Sequence, residues 1–353
     1  MKLKIKLIIL MIVIVATAAG GIAMILLKQA SAISVASNVR GLEALAREQA
    51  VYWKSREDIV LNKLDGIADI MGGFETIRAA DRRDMFDNML MTILNNNPGF
   101  IGICSVWKPN ALDNRDAQFI GRLGSSPAGQ YAMNYSRENG QVIASASLIV
   151  DEITAYLNGS DALKTRVENP IPFKVDGKDT FVVRMGVPIT RTASNEVVGH
   201  LAVLLDIAPM QDVVKDAVRS LQGIAIMSVY SQDTTIIASS IPDRIGKKLA
   251  EAEDLYGDYQ KDANQAVLKG LDFYCQSYSP LLNETFYFFM LPFRLVNADT
   301  TWSVMIASPE SYILRDINKL TVFTIIFAAL AFIVAVVIII RVISALIKPV
   351  VQV

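Results

Sequence analysis

The chain has 353 residues, enough for more than one hydrophobic core, and its 34 basic and 35 acidic side chains give a net charge of −1. A nearly neutral chain without basic blocks lacks the electrostatic signature of nucleic-acid binding, so we predict no nucleic-acid partner. Apolar residues make up 52% of the chain, more than in an ordinary soluble domain, which indicates membrane-embedded segments.

The apolar excess is concentrated in two uncharged runs of 21 residues, 7–27 and 320–340. A helix rises about 1.5 Å per residue, so each run can cross a hydrocarbon layer of about 30 Å. Because cytoplasmic flanks are enriched in Lys and Arg, we predict an inner-membrane protein with residues 1–6 and 341–353 in the cytoplasm and residues 28–319 outside. The basic residues that set this orientation are Lys2, Lys4, Lys6, Arg341 and Lys348.

The first apolar run has an alternative interpretation as a cleaved signal peptide. Ala16-Thr17-Ala18 and Ala30-Ser31-Ala32 both resemble cleavage sites made of small residues. The run is longer than the usual apolar core of about 7–15 residues in a signal sequence, which favours an uncleaved transmembrane helix.

The outer region opens with helical periodicity, from which we predict a long stalk helix over residues 28–75. The apolar face of this helix either packs on its own domain or also pairs with a second subunit in a homodimer, and the sequence leaves both open. Apolar or small residues recur mostly at alternating steps of four and three, at Val35, Val39, Leu42, Ala46, Trp53, Val60, Leu64, Ile67 and Met71.

Two α+β modules follow the stalk helix, because strand-like runs alternate with helical stretches in both halves of the region. Residues 76–210 form the first, with helices at 81–95, near 153–157 and at 210–221, where the second module begins, and strands at 100–107, 141–148, 181–187 and 197–205. Residues 211–310 form the second, with strands at 223–230, 235–239, 271–277, 285–292 and 302–307, and a helix near 247–269. Residues 311–319 are a connecting helix that runs into the second span. Cys104 and Cys275 fall in different modules, and we predict two buried free thiols.

One segment carries a specific resemblance. Trp107-Lys108-Pro109-Asn110-Ala111-Leu112-Asp113-Asn114-Arg115-Asp116-Ala117-Gln118-Phe119 resembles a segment of the double Cache sensor domains of methyl-accepting chemotaxis receptors. Further stretches follow in that family's order: Ala128-Gly129-Gln130-Tyr131 with Tyr135-Ser136-Arg137, Val175-Asp176-Gly177-Lys178-Asp179 with Val187-Pro188-Ile189, and residues 198–207. The likeness covers most of residues 28–319 and implies two PAS-like modules, with the ligand pocket in the membrane-distal one, residues 76–210. After the second span, residues 341–350 resemble the start of a HAMP linker.

The resemblance implies that Asp206 faces this pocket and pairs with a ligand amine, as the matching family residue does. A buried carboxylate among aromatic rings is a physical solution for a ligand ammonium. The alternative is that Asp206 caps the helix that begins before Pro209. Trp107, Tyr131 and Tyr135 are predicted to supply the ring walls, although core packing explains aromatic residues equally well.

Three more residues are candidates for ligand binding. Asp113 and Asp116 lack the spacing of a calcium loop, and a turn with a helix cap also explains them. Tyr156 follows Ala155 where many relatives carry Trp-Tyr, and Pro170-Ile171 stands where they carry Pro-Tyr. The Arg-x-Trp-Tyr signature of amino-acid-binding relatives is also missing. The sequence therefore predicts a small-molecule ligand without identifying it.

We predict no enzymatic activity, no metal site and no cofactor. His200 is the single histidine, and no pattern of Cys or carboxylate residues beside it indicates a metal site or a catalytic triad, so we predict a structural role. The sequence also has no glycine-rich phosphate loop of the Walker or dinucleotide type.

These expectations combine into the sensing portion of a chemoreceptor, embedded in membrane lipid. A small molecule binds the distal module and displaces the helix entering the second span by a small amount. The same domain could instead be the input of a sensor histidine kinase or a diguanylate cyclase, or a periplasmic protein-interaction domain with a vestigial pocket. The sequence is either a fragment, followed by a downstream signalling domain or kinase complex, or an unusual short receptor.

Overall fold

The computed structural model describes residues 3–347 except Asp176, Glu253 and Asp254. Lys2 and the HAMP-like residues from Lys348 onward lie outside this range, as does Asp176 of the predicted hairpin. The helices are α1 (Leu3–Gly72), α2 (Arg82–Asn96), α3 (Val150–Leu157), α4 (Ala208–Ser220), α5 (Gln260–Lys269), α6 (Glu310–Ile313) and α7 (Arg315–Ile347). The strands are β1 (Phe100–Trp107), β2 (Ala132–Glu138), β3 (Gln141–Ala146), β4 (Arg166–Val167), β5 (Ile171–Val175), β6 (Lys178–Thr190), β7 (Val197–Asp206), β8 (Ile226–Tyr230), β9 (Ile236–Ser239), β10 (Phe273–Ser279), β11 (Glu284–Arg294) and β12 (Thr301–Pro309).

The chain divides into two compact units. Leu45–Ser308 is the larger unit and contains both β-sheets, and we call it the outer domain. Met1–Ala44 and Pro309–Val353 make up the other unit, which holds most of the apolar length of α1 and α7. The predicted α+β class, with a long N-terminal helix and two apolar helices, is confirmed.

The first sheet of the outer domain has seven strands in the order β3-β2-β1-β7-β6-β4, with β5 added beside β6. Every neighbouring pair is antiparallel. Strands β1 and β7 lie in its centre and are almost entirely buried, because both faces of the sheet are covered there. On one face, Trp107 packs against Phe74 and Phe86. On the other, helix α3 packs through a cluster that includes Val106 and Ile153.

The second sheet has five strands in the order β10-β11-β12-β8-β9. One face packs on α5 and the loop before it, and Tyr256, Phe288 and Met305 form the centre of this core. Helix α5 is followed by Gly270, whose backbone is left-handed with φ 62°, a conformation that glycine adopts without a Cβ penalty. Each sheet therefore has its own hydrophobic core.

Helix α1 continues for 70 residues before it ends at Gly72. No proline interrupts it, and its outer-domain part buries one face that includes Trp53, Leu61, Leu64 and Met71. Gly72 is required at the end because a Cβ there would clash with the carbonyl oxygen of Thr190. A long N-terminal helix is confirmed, and it ends three residues before the end of the predicted stalk, 28–75.

The smaller unit brings α1 and α7 side by side. Both helices are long and apolar enough to cross a membrane. A groove of about 530 Å³ lies between them, lined by small and apolar side chains that include Ala23 and Phe327. In the same unit, Asn38 Nδ2 donates a hydrogen bond to the carbonyl oxygen of Ile313, 2.9 Å away. Helix α6 is thereby tied to α1 just before α7 begins.

The structure departs from the predicted elements where polar residues weaken the periodic signal. Strands β2, β4 and β5 were not predicted, since β2 mixes Asn134, Ser136 and Arg137 with apolar residues and β5 is largely exposed and contains Pro172. The helix predicted near 247–269 begins only at Gln260, after a loop and a short 3-10 turn. The two cysteines are buried free thiols, as predicted.

Candidate functional site

A cavity of about 410 Å³ lies over the seven-stranded sheet of the outer domain. Residues that pair directly across antiparallel strands point to the same face of a sheet. The register pairs Cys104 with Asn134 and with Ala202, and it pairs Leu204 with Arg184. All five residues line the cavity, so they share one face of the sheet, the cavity face. The size falls within the range of about 300–1,000 Å³ typical of small-molecule pockets.

The floor of the cavity carries several neutral polar groups beside the apolar Ala202 and Leu204. Asn134 Nδ2 donates to Ser145 Oγ at 3.1 Å, which connects β2 and β3. Ser136 and Ser147 add two further hydroxyl groups. Burial raises the pKa of the Cys104 thiol to about 11, so this thiol is neutral at physiological pH. The floor can therefore orient a polar ligand through hydrogen bonds.

Apolar side chains stand at the rim of the cavity. Leu148, in the loop between β3 and α3, is fully exposed to solvent, and Phe173 on β5 is 40% exposed. Ile149 lies beside Leu148 on the same loop. Exposed apolar groups beside a pocket provide surface that a bound molecule can cover.

Arg184 is the charged residue on the floor. Its Nη1 donates to both carboxylate oxygens of Glu168, at 3.0 and 2.9 Å, and Glu168 also lies 3.3 Å from Arg166 Nε. Backbone contact reinforces the pair, because the Glu168 N–H donates to the carbonyl oxygen of Arg184. No described residue accepts a hydrogen bond from Nε or Nη2 of Arg184. One edge of the guanidinium is thus available to a ligand.

Asp206 ends β7 on the cavity face, two residues beyond Leu204, but it does not line the cavity. Its Oδ1 accepts hydrogen bonds from Thr180 Oγ1 at 2.8 Å and from the backbone N–H of Ala208 at 2.9 Å. The second bond places the carboxylate beside the first residue of α4, whose N-cap position is Ile207. A ligand contact for Asp206 stays a prediction.

Trp107, Tyr131 and Tyr135 lie on the opposite face of the sheet. Trp107 packs edge-on against Phe74, with ring centroids 5.0 Å apart. The Tyr131 hydroxyl donates to Asp87 on α2 at 2.8 Å, and burial raises the pKa of Tyr131 well above its usual value. These three rings therefore form part of the core beneath α2 and do not line this cavity, and their role as pocket walls stays a prediction. The strict alternation of side chains along β1 and β2 is the physical reason for their position on this face.

Asp113 and Asp116 bind Arg83 on α2 instead of lining the cavity. Arg83 Nε donates to Asp113 Oδ2 at 2.7 Å, and Arg83 Nη2 donates to Asp116 Oδ1 at 2.6 Å. Asp116 Oδ2 also accepts the backbone N–H of Asn110, which has a left-handed φ of 57°. The segment that carried the family resemblance is therefore a buried turn, and ligand contacts for Asp113 and Asp116 stay a prediction beside these ion pairs.

Tyr156 on α3 and His200 on β7 pack together and do not line the cavity. Their ring centroids are 5.7 Å apart, and the Tyr156 hydroxyl donates to the carbonyl oxygen of Lys164 at 2.6 Å. His200 is 2% exposed, and burial lowers its pKa to about 3, with Arg166 and Arg184 adding to the effect. His200 is therefore neutral at physiological pH. Within the described residues, no group of three or more His, Cys, Asp or Glu side chains could hold a metal ion.

The cavity residues were missed by sequence reasoning, yet a signal for them exists. Arg184 interrupts the apolar run of β6, and a charged residue in a buried strand is unusual. Asn134 and Ser136 alternate with Met133 and Tyr135 on β2, which is the pattern of a strand with one polar face.

The comparisons with known proteins agree with this architecture. No protein-family model matches the chain. The methyl-accepting chemotaxis protein TlpQ of Pseudomonas aeruginosa is 22% identical over 255 residues, which cover 67% of this chain and 34% of TlpQ. The chain thus spans about a third of the length of that curated relative.

Solved structures of sensory domains share the fold. Methyl-accepting chemotaxis protein X superposes with a TM-score of 0.56 at 18% identity, covering 76% of this chain and 97% of that one. The periplasmic sensory domain of the Campylobacter jejuni chemoreceptor Tlp1 gives a TM-score of 0.56 at 14% identity, covering 78% and 97%. An extracellular domain assigned to a histidine kinase, mmHK1S-Z3, gives 0.58 at 20% identity, covering 78% and 98%. The predicted resemblance to chemoreceptor sensory domains is confirmed at the level of the fold.

Proposed function

We propose that this chain is the sensing and membrane-spanning portion of a chemoreceptor whose outer domain binds a small molecule in the cavity over the seven-stranded sheet. The observation that carries the proposal is the cavity itself, about 410 Å³ in volume, with polar groups on its floor and an apolar rim. A fold shared with solved sensory domains of chemoreceptors supports it. No catalytic chemistry is part of the proposal.

The proposed topology puts residues 28–319 on the extracytoplasmic side of the inner membrane and both termini in the cytoplasm. Two helices of sufficient length and apolar character support it, together with the basic residues beside them. The module boundaries, 76–210 for the distal module and 211–310 for the proximal one, belong to this proposal, as does a homodimer. One apolar core for each of the two sheets supports the division into modules.

Signal transfer runs through the chain segment that leaves the second sheet. Strand β12 ends at Pro309, α6 begins at Glu310 and α7 begins at Arg315, so no flexible linker separates the sheet from the second span. A ligand that prefers one state of the outer domain would bias the position of α7 by its difference in affinity for the two states.

Thermal unfolding of the full chain in detergent, against a panel of small metabolites, tests the sensing function. We expect at least one compound to raise the melting temperature, because a ligand that binds only the folded state stabilises it. An absence of stabilisation by every compound would contradict the proposal. An unchanged response in Asp206→Ala would remove Asp206 from the site and leave the sensing function intact.

A second candidate function is the input domain of a sensor histidine kinase. The fold shared with the mmHK1S-Z3 domain favours it. The two candidates differ only in the output that α7 controls, and the sequence relative, a chemotaxis protein, favours the first.

A further inference from the structure

We propose that the cavity selects an anion: a small molecule whose carboxylate, or similar acidic oxygen group, is held by the free edge of Arg184. The inference rests on the proposed function and specifies the chemical class of its ligand. It assigns the acid-binding role to a residue in the middle of β6, on the floor of the cavity.

The geometry of Arg184 carries the inference. Nη1 is the atom that binds Glu168, so Nε and Nη2, which lie on one edge of the planar guanidinium, remain without an acceptor among the described residues. That edge matches the two oxygens of a carboxylate and binds them through two parallel hydrogen bonds. Its side chain is 19% exposed and lines the cavity, so the edge is accessible from within. Arginine keeps its charge at any physiological pH.

The surrounding charges favour an anion over an ammonium. Among the described residues, the charged side chains that line the cavity are Arg137, Lys174, Arg184 and Glu138. Arg137 Nη2 donates to the Leu94 carbonyl oxygen on α2 and Lys174 Nζ pairs with Asp179, so the Arg184 guanidinium is the cation that carries the inference. The neutral Cys104 thiol adds no negative charge. Asp206, which the family resemblance offered to an amine, lies outside the lining and already accepts two hydrogen bonds. An ammonium group beside Nε and Nη2 of Arg184 would meet the guanidinium charge directly, because Glu168 binds at Nη1. Such a contact between like charges is costly in a partly desolvated site.

Glu168 holds the guanidinium in place while competing with a bound acid. Its carboxylate takes two hydrogen bonds from Nη1 and is shared with Arg166, so Arg184 is positioned but only partly neutralised. Removal of the Glu168 charge should therefore strengthen acid binding. A purely structural role for the pair would not produce that result.

The other residues that line the cavity restrict the chemical character of the part of the ligand that Arg184 does not hold. Ala202 and Leu204 on the floor and Phe173 at the rim are apolar, while Asn134 and Ser136 offer neutral hydrogen-bonding groups. A compact acid with an apolar body, such as a short aliphatic or aromatic carboxylate, fits this combination in a cavity of about 410 Å³.

The test compares probes that differ only in charge, on the full chain in detergent. Benzoate, benzamide and benzylamine form one set, and hexanoate, hexanamide and hexylamine form another. Phenyl phosphate, with phenol as its neutral counterpart, tests whether the cavity recognises a phosphate as well as a carboxylate. We expect acids to raise the melting temperature and the matched amides and amines to leave it unchanged. Arg184→Gln should weaken acid binding by about tenfold or more. Arg219→Gln, at an exposed position on α4, is the matched control and should leave binding unchanged.

Glu168→Gln should tighten acid binding about threefold or more, which keeps the test decisive if Arg184→Gln fails to fold. Stabilisation by amines or neutral amides, without stabilisation by acids, would overturn the inference and leave the sensing function in place. An acid response that Arg184→Gln retains would also overturn it. No response to any probe, with none to the metabolite panel, would contradict the sensing function as well.

Discussion

Arg83 and Asp113 form a two-point ion pair inside the outer domain, with Nε 2.7 Å from Oδ2 and Nη2 3.1 Å from Oδ1. The Arg83 side chain is 2% exposed and that of Asp113 is 0% exposed. Arg83 also donates to Asp116 and to the carbonyl oxygen of Gly129 and packs over the Phe119 ring. One guanidinium thus fixes helix α2 against the long turn that follows β1.

Arg83→Met should strongly destabilise the outer domain, because it leaves two buried carboxylates side by side without their cation. Breaking a buried ion pair costs about 3–5 kcal/mol. At about 2–4 °C per kcal/mol for a domain of this size, the melting temperature should fall by at least about 6 °C. Thermal unfolding of the full chain measures it, with Arg78→Met, at a largely exposed position, as the control. Stability equal to that of the control would contradict a structural role for the cluster.

Gly186→Ala should destabilise the sheet on which the cavity lies. A Cβ at this position would clash with Cε1 of His200, which is buried and cannot move aside. Overpacking of this kind costs about 1–3 kcal/mol. Gly66→Ala is the contrasting variant, since nothing lies within 4 Å of its added Cβ, and it should stabilise α1 by about 0.5–1 kcal/mol.

The clash has its own test. Combining Gly186→Ala with His200→Ala should cost less than the sum of the two single changes, because the second change removes the contact. Full additivity of the two melting-temperature changes would show that His200 is not the obstacle.

Glu57 should give the outer domain a dependence on pH. Burial raises its pKa from 4.5 to about 7, an effect that Arg56 opposes and Asp58 increases. The folded state therefore keeps a proton that the unfolded state releases between about pH 4.5 and 7. The stability that this bound proton contributes is fully present below pH 4.5 and is lost as pH rises towards 7. A shift of this size corresponds to about 3 kcal/mol.

Glu57→Gln removes the titrating proton and should remove this loss of stability. Melting curves of both proteins from pH 5 to 8 should diverge, with the variant gaining relative stability as pH rises. Because the pKa of His200 is lowered, His200 makes stability rise with pH. This contribution is the same in both proteins and cancels in the difference between their melting curves. Glu48→Gln, at an exposed position of the same helix, is the control. Parallel curves would mean that Glu57 does not titrate in this range.

Ligand binding should change the contact between the two spans. Ala23 on α1 and Ala328 on α7 line one groove, so cysteines placed at both positions can report on their approach. A compound that raises the melting temperature should change the rate of disulfide formation by about fivefold or more, the lower end of typical coupling between sites. The same cysteine pair, placed in a variant that does not bind the compound, should keep its rate of disulfide formation. Equal rates with and without the compound would disconnect the cavity from the spans.

Much of the fold follows from sequence periodicity. The step of three and four residues on α1 and the apolar runs of β1, β6 and β7 identify elements whose burial is dictated locally. Strand β5 escaped prediction because it is exposed and gains its partners only through pairing with β6. Its conformation depends on a neighbour and not on its own pattern.

The site was harder to predict because neighbouring residues of a strand point to opposite faces of the sheet, so an error of one residue assigns a side chain to the wrong face. Trp107 and Tyr135 belong to the aromatic class expected of a pocket, yet they point towards α2, while Cys104 and Asn134 beside them point into the cavity. Composition cannot distinguish the two faces when both are buried. The partners of Asp113 and Asp116 were equally hidden, since Arg83 lies about thirty residues away in sequence and meets them only through tertiary structure.

The most direct test of the sensing function is to fill the cavity. Gly102 lies on the cavity face of β1, and a Cβ there meets only ordinary contacts, the nearest being the Tyr135 carbonyl oxygen at 3.4 Å. Gly102→Val should therefore fold and occupy part of the cavity, while Gly99→Val, just before β1 with nothing within 4 Å, is the matched control. The measurement is the melting temperature of the full-length variants against the metabolite panel. We expect the compounds that stabilise the natural chain and Gly99→Val to have no effect on Gly102→Val; equal stabilisation of all three proteins would contradict a ligand site in this cavity.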